Sequence, residues 1–483
     1  MKTFYHSSED YQEIIQHKLI DKQLRTNLKS AMDTLKNNRR NLINSRYTKW
    51  KDLREQGRQV KIKALTHLDE LLERFEKNAT RNGIQVHWAS TGEDANKIIF
   101  DLIKKNNATS ILKGKSMISE EIHLNTYLKQ RGIQAVETDL GELIIQLIDE
   151  TPVHIVVPAV HKNRYEIGEI FKEKLGAPLE TQPEKLNAIA RKHLRKEFET
   201  FKIGLTGVNF AIANEGAIWL VENEGNGRMT TTACDIHVAI CGIEKVIESF
   251  EDASVLGTLL APSAIGAPIT CYNNIITSPR KEGEKDGPKE VHVILVDNHR
   301  SNMLNDKNFF KSLSCIRCGT CLNHCPVYDK IGGHAYLSTY PGPIGEVISP
   351  QLFGINNCAP IVNLCSLCGR CSEVCPVKIP LAELIRDLRS EKVGQGYGKV
   401  LGYQKNSPGH AMEQKMMNGF ASFATSGSKW RNMLWVVRNF GGLGKLLHPM
   451  IPVLNKWTKY RVFPPIDASL HQQIQKLKGV IYE

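Results

Sequence analysis

No stretch of this sequence approaches the roughly 18 consecutive apolar residues that a membrane-spanning helix needs. Its first residues, MKTFYHSSEDYQEI, lack the apolar core and small-residue cleavage site of a secretory leader. Together these absences predict an intracellular, non-spanning protein. Catalytic signatures are missing as well: there is no Ser/His/Asp set, no G-x-G-x-x-G after a strand pattern and no H-x-x-x-H. No hydride-transfer site is visible, so a flavin or nicotinamide would have to belong to a partner. Helix-turn-helix and RNA-binding signatures are absent too. Cysteine is sparse, 12 in 483 residues, and its distribution is the informative feature.

Composition is that of an ordinary globular protein, 41% hydrophobic and 24% charged, long enough for two to four domains. The net charge of +12 is uneven. Residues 1–63 carry 15 Lys/Arg against seven Asp/Glu and residues 376–483 carry 16 against six, leaving the middle of the chain acidic. Basic flanks of this kind can bind anionic lipid, nucleic acid or an acidic protein, or simply be solvated helix faces.

Eight of the cysteines form two matching runs, CIRCGTCLNHCPVY at 315–328 and CSLCGRCSEVCPVK at 365–378. Cys315, Cys318, Cys321 and Cys325 correspond to Cys365, Cys368, Cys371 and Cys375, with Gly319 and Gly369, and Pro326 and Pro376, at equal offsets. The thiols are too crowded to pair as unstrained disulfides, and a reducing compartment favours metal-bound thiolates. Three thiolates at i, i+3 and i+6 can wrap one cluster, and a glycine lets the backbone pass close to inorganic sulfide. The fourth cysteine sits too far along to close the same cage, and the proline turns the chain away. This C-x2-C-x2-C-x3-C-P run is that of bacterial ferredoxins, in which the fourth cysteine ligates the other cluster. Two 4Fe-4S clusters with crossed ligation follow as an expectation: Cys315, Cys318, Cys321 and Cys375 on the first, Cys365, Cys368, Cys371 and Cys325 on the second. Paired zinc sites are the competing reading, but structural zinc takes two C-x2-C knuckles and four ligands. The 39 residues between Cys325 and Cys365 suggest a helical ferredoxin-type module with an inserted connector, in which Cys358 is read as an ordinary thiol. Cys234, Cys241 and Cys271 are expected to be small buried hydrophobes. Such clusters carry single electrons, so the chain reads as a relay.

The expected architecture is α/β plus α. Residues 10–80 read as helix, with Leu19, Leu24, Leu28, Leu35 and Leu42 as sparse apolar positions and a regular amphipathic stretch ending at Asn82-Gly83. From 84 to about 300, short apolar runs such as IQVHWA, SILKGKS, IQAVETDL, VHIVVPAV, DIHVAICGIEKVI and EVHVILVDN alternate with helical stretches, the mark of a parallel α/β sheet. Asn214-Glu215-Gly216 reads as a hairpin turn and 278–290 as a surface loop. Lys113, Lys115 and Ser116 stand at a strand end before a helix start, a place that favours an anion such as a carboxylate or phosphate. The polar turn ENEGNGR, 222–228, could face the same crevice. His154, His161 and His237 read as ordinary core or surface histidines. The tail from 396 is basic and helical. Its stretch 429–463 mixes tryptophans with seven Lys/Arg, which suits a membrane interface or a helix pair packed on protein.

CIRCGTCLNHCPVYDKIGGHAYLSTYPGPIGEV, with SILKGKSMISEEIHLN, GVNFAIANEGAIWLVENEGNGR and PRKEGEKDGPKEVHVILVDNHRS, resembles the lactate utilization protein B family, from about residue 64 to 400. The cysteine part is also similar to glycolate oxidase and heterodisulfide reductase components, so an electron-transfer subunit of that type is the alternative. The resemblance implies a lactate-utilization-type α/β domain at 64–300, and the sequence pattern adds a helical basic arm at 1–63, a ferredoxin-type domain at 301–395 and a basic helical tail at 396–483. The resemblance also implies a ribose-isomerase or coenzyme A transferase-like fold for the α/β part, with isomerase- or transferase-like catalysis by that domain left open. Two partners are implied, a Cys-rich-domain subunit and a second lactate-utilization-domain subunit, which with this chain would oxidise L-lactate to pyruvate. A cytoplasmic location, peripheral at the inner face of the membrane through the tail, is the accompanying expectation. A nucleic-acid-binding protein with structural clusters is the reading of another class. The basic ends carry no nucleic-acid recognition motif, so no nucleic-acid partner is expected.

Overall fold

The computed structural model describes residues 8–358, 360–392 and 408–447. The chain divides into two compact units, Met1–Gln404 and Lys405–Glu483.

The first unit begins with helices Ser8–Ile20, Lys22–Arg46, Trp50–Thr66 and Leu68–Arg81. Asp21 starts the second by accepting the Leu24 amide at 2.9 Å, and the sparse apolar positions Leu24, Leu28 and Leu42 are buried as expected, whereas Leu19 is exposed. The last helix ends at Asn82, followed by Gly83 at φ +90°, a left-handed position suited to glycine. The basic residues of this arm do not form one solvated face. Arg39 and Lys61 are buried, and Arg39 Nη2 donates to the Val374 carbonyl at 3.2 Å. Lys61 Nζ donates to the Glu244 carbonyl at 2.6 Å.

Among the described residues ten strands follow: β1 (Gln85–Ala89), β2 (Ser110–Lys113), β3 (Gln134–Glu137), β4 (Ile203–Gly207), β5 (Phe210–Ile212), β6 (Ala217–Glu222), β7 (Ile236–Gly242), β8 (Val246–Ile247), β9 (Tyr272–Ile276) and β10 (Glu290–Val296). Six make a parallel sheet in the order β1-β10-β7-β4-β2-β3. The period of two along its strands divides the core. Ile236, Val238, Ile240, Ile294 and Val296 pack with Ile99 and Ile103 of the helix Gly92–Lys105, while Ala239, Cys241, Val291, Val293 and Leu295 join the larger core that holds the N-terminal helices and the cysteine region. The remaining strands form a second sheet, β8-β5-β6-β9. Its antiparallel β5–β6 pair is the hairpin around Asn214-Glu215-Gly216.

One expected strand is absent. Val153–Val160 runs as bends and turns, because its polar groups are engaged by the cysteine region instead of a ladder. The Val153 carbonyl accepts the Tyr328 hydroxyl at 2.7 Å, and the His154 ring meets Asn323 Oδ1 at 2.9 Å. The loop at 278–290 is as expected, with Gly283 and Gly287 at positive φ.

The cysteine region is built of short helices, among them Thr320–Asn323, Tyr328–Ile331, Gly342–Phe353, Arg370–Val374 and Leu381–Lys392. Its connector is buried: Tyr336, Tyr340, Ile344, Val347 and Ile348 are each at most 1% exposed, so the inserted segment is core rather than surface loop.

In the second unit, helices Pro408–Ala424 and Gly427–Leu447 form a pair with Phe420 against Trp430. Met416, Phe420, Phe423, Leu434 and Trp435 are exposed on it. Among the described residues no helix is long and apolar enough to cross a membrane. The expected interfacial stretch 429–463 lies outside the described residues beyond 447.

Candidate metal centre and adjoining cavity

The sequence repeat is also a conformational repeat. Arg317 and Leu367, two residues after the first cysteine of each run, have φ of +60° and +55°. Gly319 and Gly369 have φ of +72° and +77° and begin the helices Thr320–Asn323 and Arg370–Val374, which pack against each other. Left-handed backbone costs a non-glycine residue about 1–2 kcal/mol, and strain of this kind gathers at functional sites. What it achieves here is visible: the turned amides of Arg317 and Leu367 donate to Cys315 Sγ at 3.4 Å and Cys365 Sγ at 3.2 Å. The amides of Tyr328 and Ile379 reach Cys325 Sγ at 3.4 Å and Cys375 Sγ at 3.3 Å in the same way. Amide donors to sulfur stabilise a thiolate and tune a bound iron–sulfur group.

The eight cysteines fall into two groups that exchange one member. Cys315, Cys318, Cys321 and Cys375 line one cavity walled by Ile155, Ile316, Ile344, Val377 and Ile379. Burial raises the Cys318 thiol pKa, and Cys315 and Cys375 raise it further. Cys321 is raised by burial, then by Cys315 and Cys318, with Cys371 and Cys375 also near. In the other group, burial pushes Cys371 up to about 12, aided by Cys365, Cys325 and Cys368. Cys325 is likewise held at about 12 by burial, with Glu346 and Cys365 adding to it. Four clustered thiols in an apolar pocket resist ionisation unless a cation binds there. The first group in its apolar pocket and the second, more exposed group, each with four soft donors, a glycine turn and amides aimed at sulfur, fit 4Fe-4S clusters.

The surroundings differ. Arg54 grips the second run from the arm, its Nε and Nη2 on the Cys375 carbonyl at 3.0 and 2.7 Å. Lys61, Lys245 and Arg317 all lie near Cys315, so the first group sits among cations. The second group lies near the surface, with Cys368 exposed and Leu367 42% exposed. It faces Glu346, whose carboxyl oxygens are buried without a hydrogen-bond partner among the described residues; burial pushes this acid up to about 8.

The crevice expected from LKGKSMISEE and ENEGNGR exists. Lys115, Ser116, Glu222, Glu224, Asn226 and Gly227 line one cavity of ≈ 430 Å³ at the C-terminal ends of β2, β4 and β7. Lys113 does not face it as expected. The β2–β3 register sets Lys113 opposite Glu137, and its buried ammonium meets Glu137 at 2.6 Å and Glu120 at 2.9 Å. Ser116 caps the helix Met117–Glu121. Behind the cavity, Arg300 joins Glu121 at 2.8 Å and Glu244 at 2.6 Å, all three buried, and Tyr340 of the connector donates to Glu121 at 2.6 Å. This network, with partners far apart in sequence, gave no sequence signal. Ile155 and Arg317 connect the cavity to the first cysteine group: Ile155 lines both spaces, and Arg317 lies between two of the cysteines.

The histidines are structural, as expected. His237 is buried against Thr206 Oγ1 at 2.8 Å, and His161 is paired with Glu150 at 2.6 Å. His334 completes a trio with Glu150 and His161; Glu150 also takes Lys162 at 2.9 Å and His334 meets the Thr151 carbonyl at 2.7 Å, while His161 Nδ1 is buried without a partner among the described residues. Cys234, Cys241 and Cys358 are buried; Cys271, expected inside, is exposed.

Three family matches divide the chain: the LUD domain over 72–296, a 4Fe-4S dicluster domain over 311–379, and lactate utilisation protein B, C-terminal, over 387–480. The chain is 41% identical over 411 residues to an uncharacterized electron transport protein YkgF of Escherichia coli (strain K12), covering 83% of this chain and 86% of that one. It is 41% identical over 427 residues to lactate utilization protein B of Bacillus subtilis (strain 168), covering 87% and 86%. With lactate utilization protein B of Macrococcus caseolyticus (strain JCSC5402) the identity is 38% over 476 residues, 97% of each chain.

Proposed function

The chain belongs to the lactate utilization protein B family, and from that membership we propose that it is the iron–sulfur electron-transfer subunit of a multi-component system oxidising L-lactate to pyruvate. The supporting observation is the pairing of thiols across the two runs, Cys315, Cys318 and Cys321 with Cys375 around one cavity. On this reading Cys315, Cys318, Cys321 and Cys375 hold the first of two 4Fe-4S clusters, and Cys365, Cys368, Cys371 and Cys325 hold the second. Such clusters accept and release one electron at a time. The residues of this chain supply the rest: amides that donate to sulfur, cations that surround the first group, and an apolar wall that keeps water from it.

The relay needs partners, and we assign a Cys-rich-domain subunit and a second lactate-utilization-domain subunit to that role, with a division of this chain at 1–63, 64–300, 301–395 and 396–483. The α/β part is read as ribose-isomerase or coenzyme A transferase-like. The protein is placed in the cytoplasm, with the basic tail as a peripheral membrane contact.

Deletion of the gene should abolish growth on L-lactate, with rescue by the wild-type chain but not by one carrying Cys315→Ser and Cys365→Ser together. Normal growth on L-lactate with failure on glycolate would replace this reading by a glycolate-type one.

A further inference from the structure

A chain that only carried electrons would have no use for the cavity beside the first cysteine group, yet that cavity is chemically specific. It holds ≈ 430 Å³, within the roughly 300–1,000 Å³ of small-molecule sites. It opens at the C-terminal ends of parallel strands, where β2 passes to β3 on one side while β4 lies on the other, the usual ligand position in such sheets. Val156, Val157, Leu220, Leu260, Ala261 and Ile265 form its apolar wall.

Its lining carries four acids, Asp139, Glu222, Glu224 and Glu244, and four cations, Lys115, Lys245, Arg300 and Arg317, but they are not equally engaged. Three of the acids are committed elsewhere: Glu222 accepts the Gly227 and Arg228 amides at 2.6 and 2.5 Å. Asp139 accepts those of Gly141 and Glu142 at 2.9 and 3.1 Å, and Glu244 is held by Arg300. Of the cations, Arg300 is committed to Glu121 and Glu244, and the other three are less engaged. No hydrogen bond or ion pair reaches Lys245 among the described residues, although it is packed near Arg317, Glu244 and Cys315. Arg317 keeps one contact to Glu244 at 3.4 Å and stacks on Tyr340, but its Nη1 is buried without a partner. Lys115 also lines the cavity, and among the described residues it is bonded to the Val156 carbonyl alone. A partly buried cation without a full counter-ion is an unfavourable arrangement that an anion would relieve. A metal-bound Cys315 would offset part of this charge. It would not account for the apolar space, nor for a route to solvent through Glu224 and Asn226, which the cavity shares with a groove lined by Arg191, Lys192 and Arg195.

We propose that this cavity binds an amphipathic organic anion, a ring-sized apolar body bearing a carboxylate or phosphate, with Lys245 and Arg317 holding the anionic end and Ile155 separating it from the first cysteine group. A three-carbon acid would leave most of the apolar wall against empty space. The significance of the neighbouring cysteines rests on the relay reading, but binding itself does not.

Anaerobically purified full-length protein of measured iron content is titrated calorimetrically with 2-naphthoate, a carboxylate, and with flavin mononucleotide, a phosphate. Pyruvate and inorganic phosphate serve as small anions of the same charged groups. Either ring-bearing anion should bind more tightly than its small counterpart, and the better of the two identifies the anionic group. Lys245→Gln should weaken it about tenfold or more at unchanged iron content; if that variant loses iron, Lys115→Gln should weaken it instead. Failure of both ring-bearing anions to bind, or binding unaltered in both lysine variants, overturns the proposal. Neither result depends on growth on L-lactate, so the relay reading stands or falls separately.

Discussion

The two cysteine groups share one sequence pattern and one backbone path, yet they occupy opposite environments. The first is set into the common core among Lys61, Lys245 and Arg317 and backed by the Arg300 network. The second is near the surface beside Glu346, with Cys368 exposed. Nearby cations favour the electron-rich state of a bound cluster and burial lowers access to solvent. The difference therefore teaches that a duplicated ligand pattern has been given two electrostatic settings by its surroundings alone, with an inner site facing the cavity and an outer one facing the surface.

The comparison breaks most visibly at its buried bracing. Arg300→Met leaves Glu121 and Glu244 buried without their cation and should cost about 3–5 kcal/mol in chemical denaturation. Arg370→Met, which removes an exposed pair with Glu373 beside the second group, should change nothing measurable. Equal losses would mean that the inner site is no more firmly braced than the outer.

A smaller effect separates the two glycines. Alanine at either pays the left-handed cost of about 1–2 kcal/mol. At Gly319 the added Cβ also meets His154 Cε1 at 2.9 Å, whereas at Gly369 nothing lies within 4 Å. Gly319→Ala should thus be the more destabilising by about 1–3 kcal/mol; the same melting shift in both would deny the tighter packing of the first run.

Acid offers a third contrast. Burial holds His154 at about 3 against its ordinary 6.5. The unfolded chain takes up a proton as pH falls through 6.5 and the folded chain does not, so this contribution is full above 6.5 and is lost between 6.5 and 3. The slope is about 1.4 kcal/mol per pH unit for that group. His154→Gln should flatten the stability profile in this window by that amount, and an unchanged profile would show that His154 titrates normally. The smallest effect is kinetic: under a mild iron chelator the outer group should release its iron first, seen as a biphasic bleach in which Cys368→Ala removes the fast phase.

Much of this was legible in the sequence for physical reasons. Spacing within a run is a local covalent constraint, so the cysteine pattern was readable, and alternation exposed most of the parallel strands. Val153–Val160 misled because its polar groups, the Val153 carbonyl and the His154 ring, are held by Tyr328 and Asn323 rather than by a ladder. The arm read as a basic surface because the partners of Arg39, Arg54 and Lys61 lie 183 to 335 residues away. Lys113 looked available because its counter-ion Glu137 is supplied by strand register. Cys271 was expected inside by residue type alone, and type does not determine depth.

The crossed grouping of thiols is tested most directly by electron paramagnetic resonance of the reduced protein together with iron and acid-labile sulfide counts. Wild-type protein should hold about eight of each. Cys375→Ser should perturb the same signal as Cys315→Ser and leave untouched the one perturbed by Cys365→Ser. A Cys375→Ser spectrum matching that of Cys365→Ser, or a colourless protein holding two zinc ions, would contradict it.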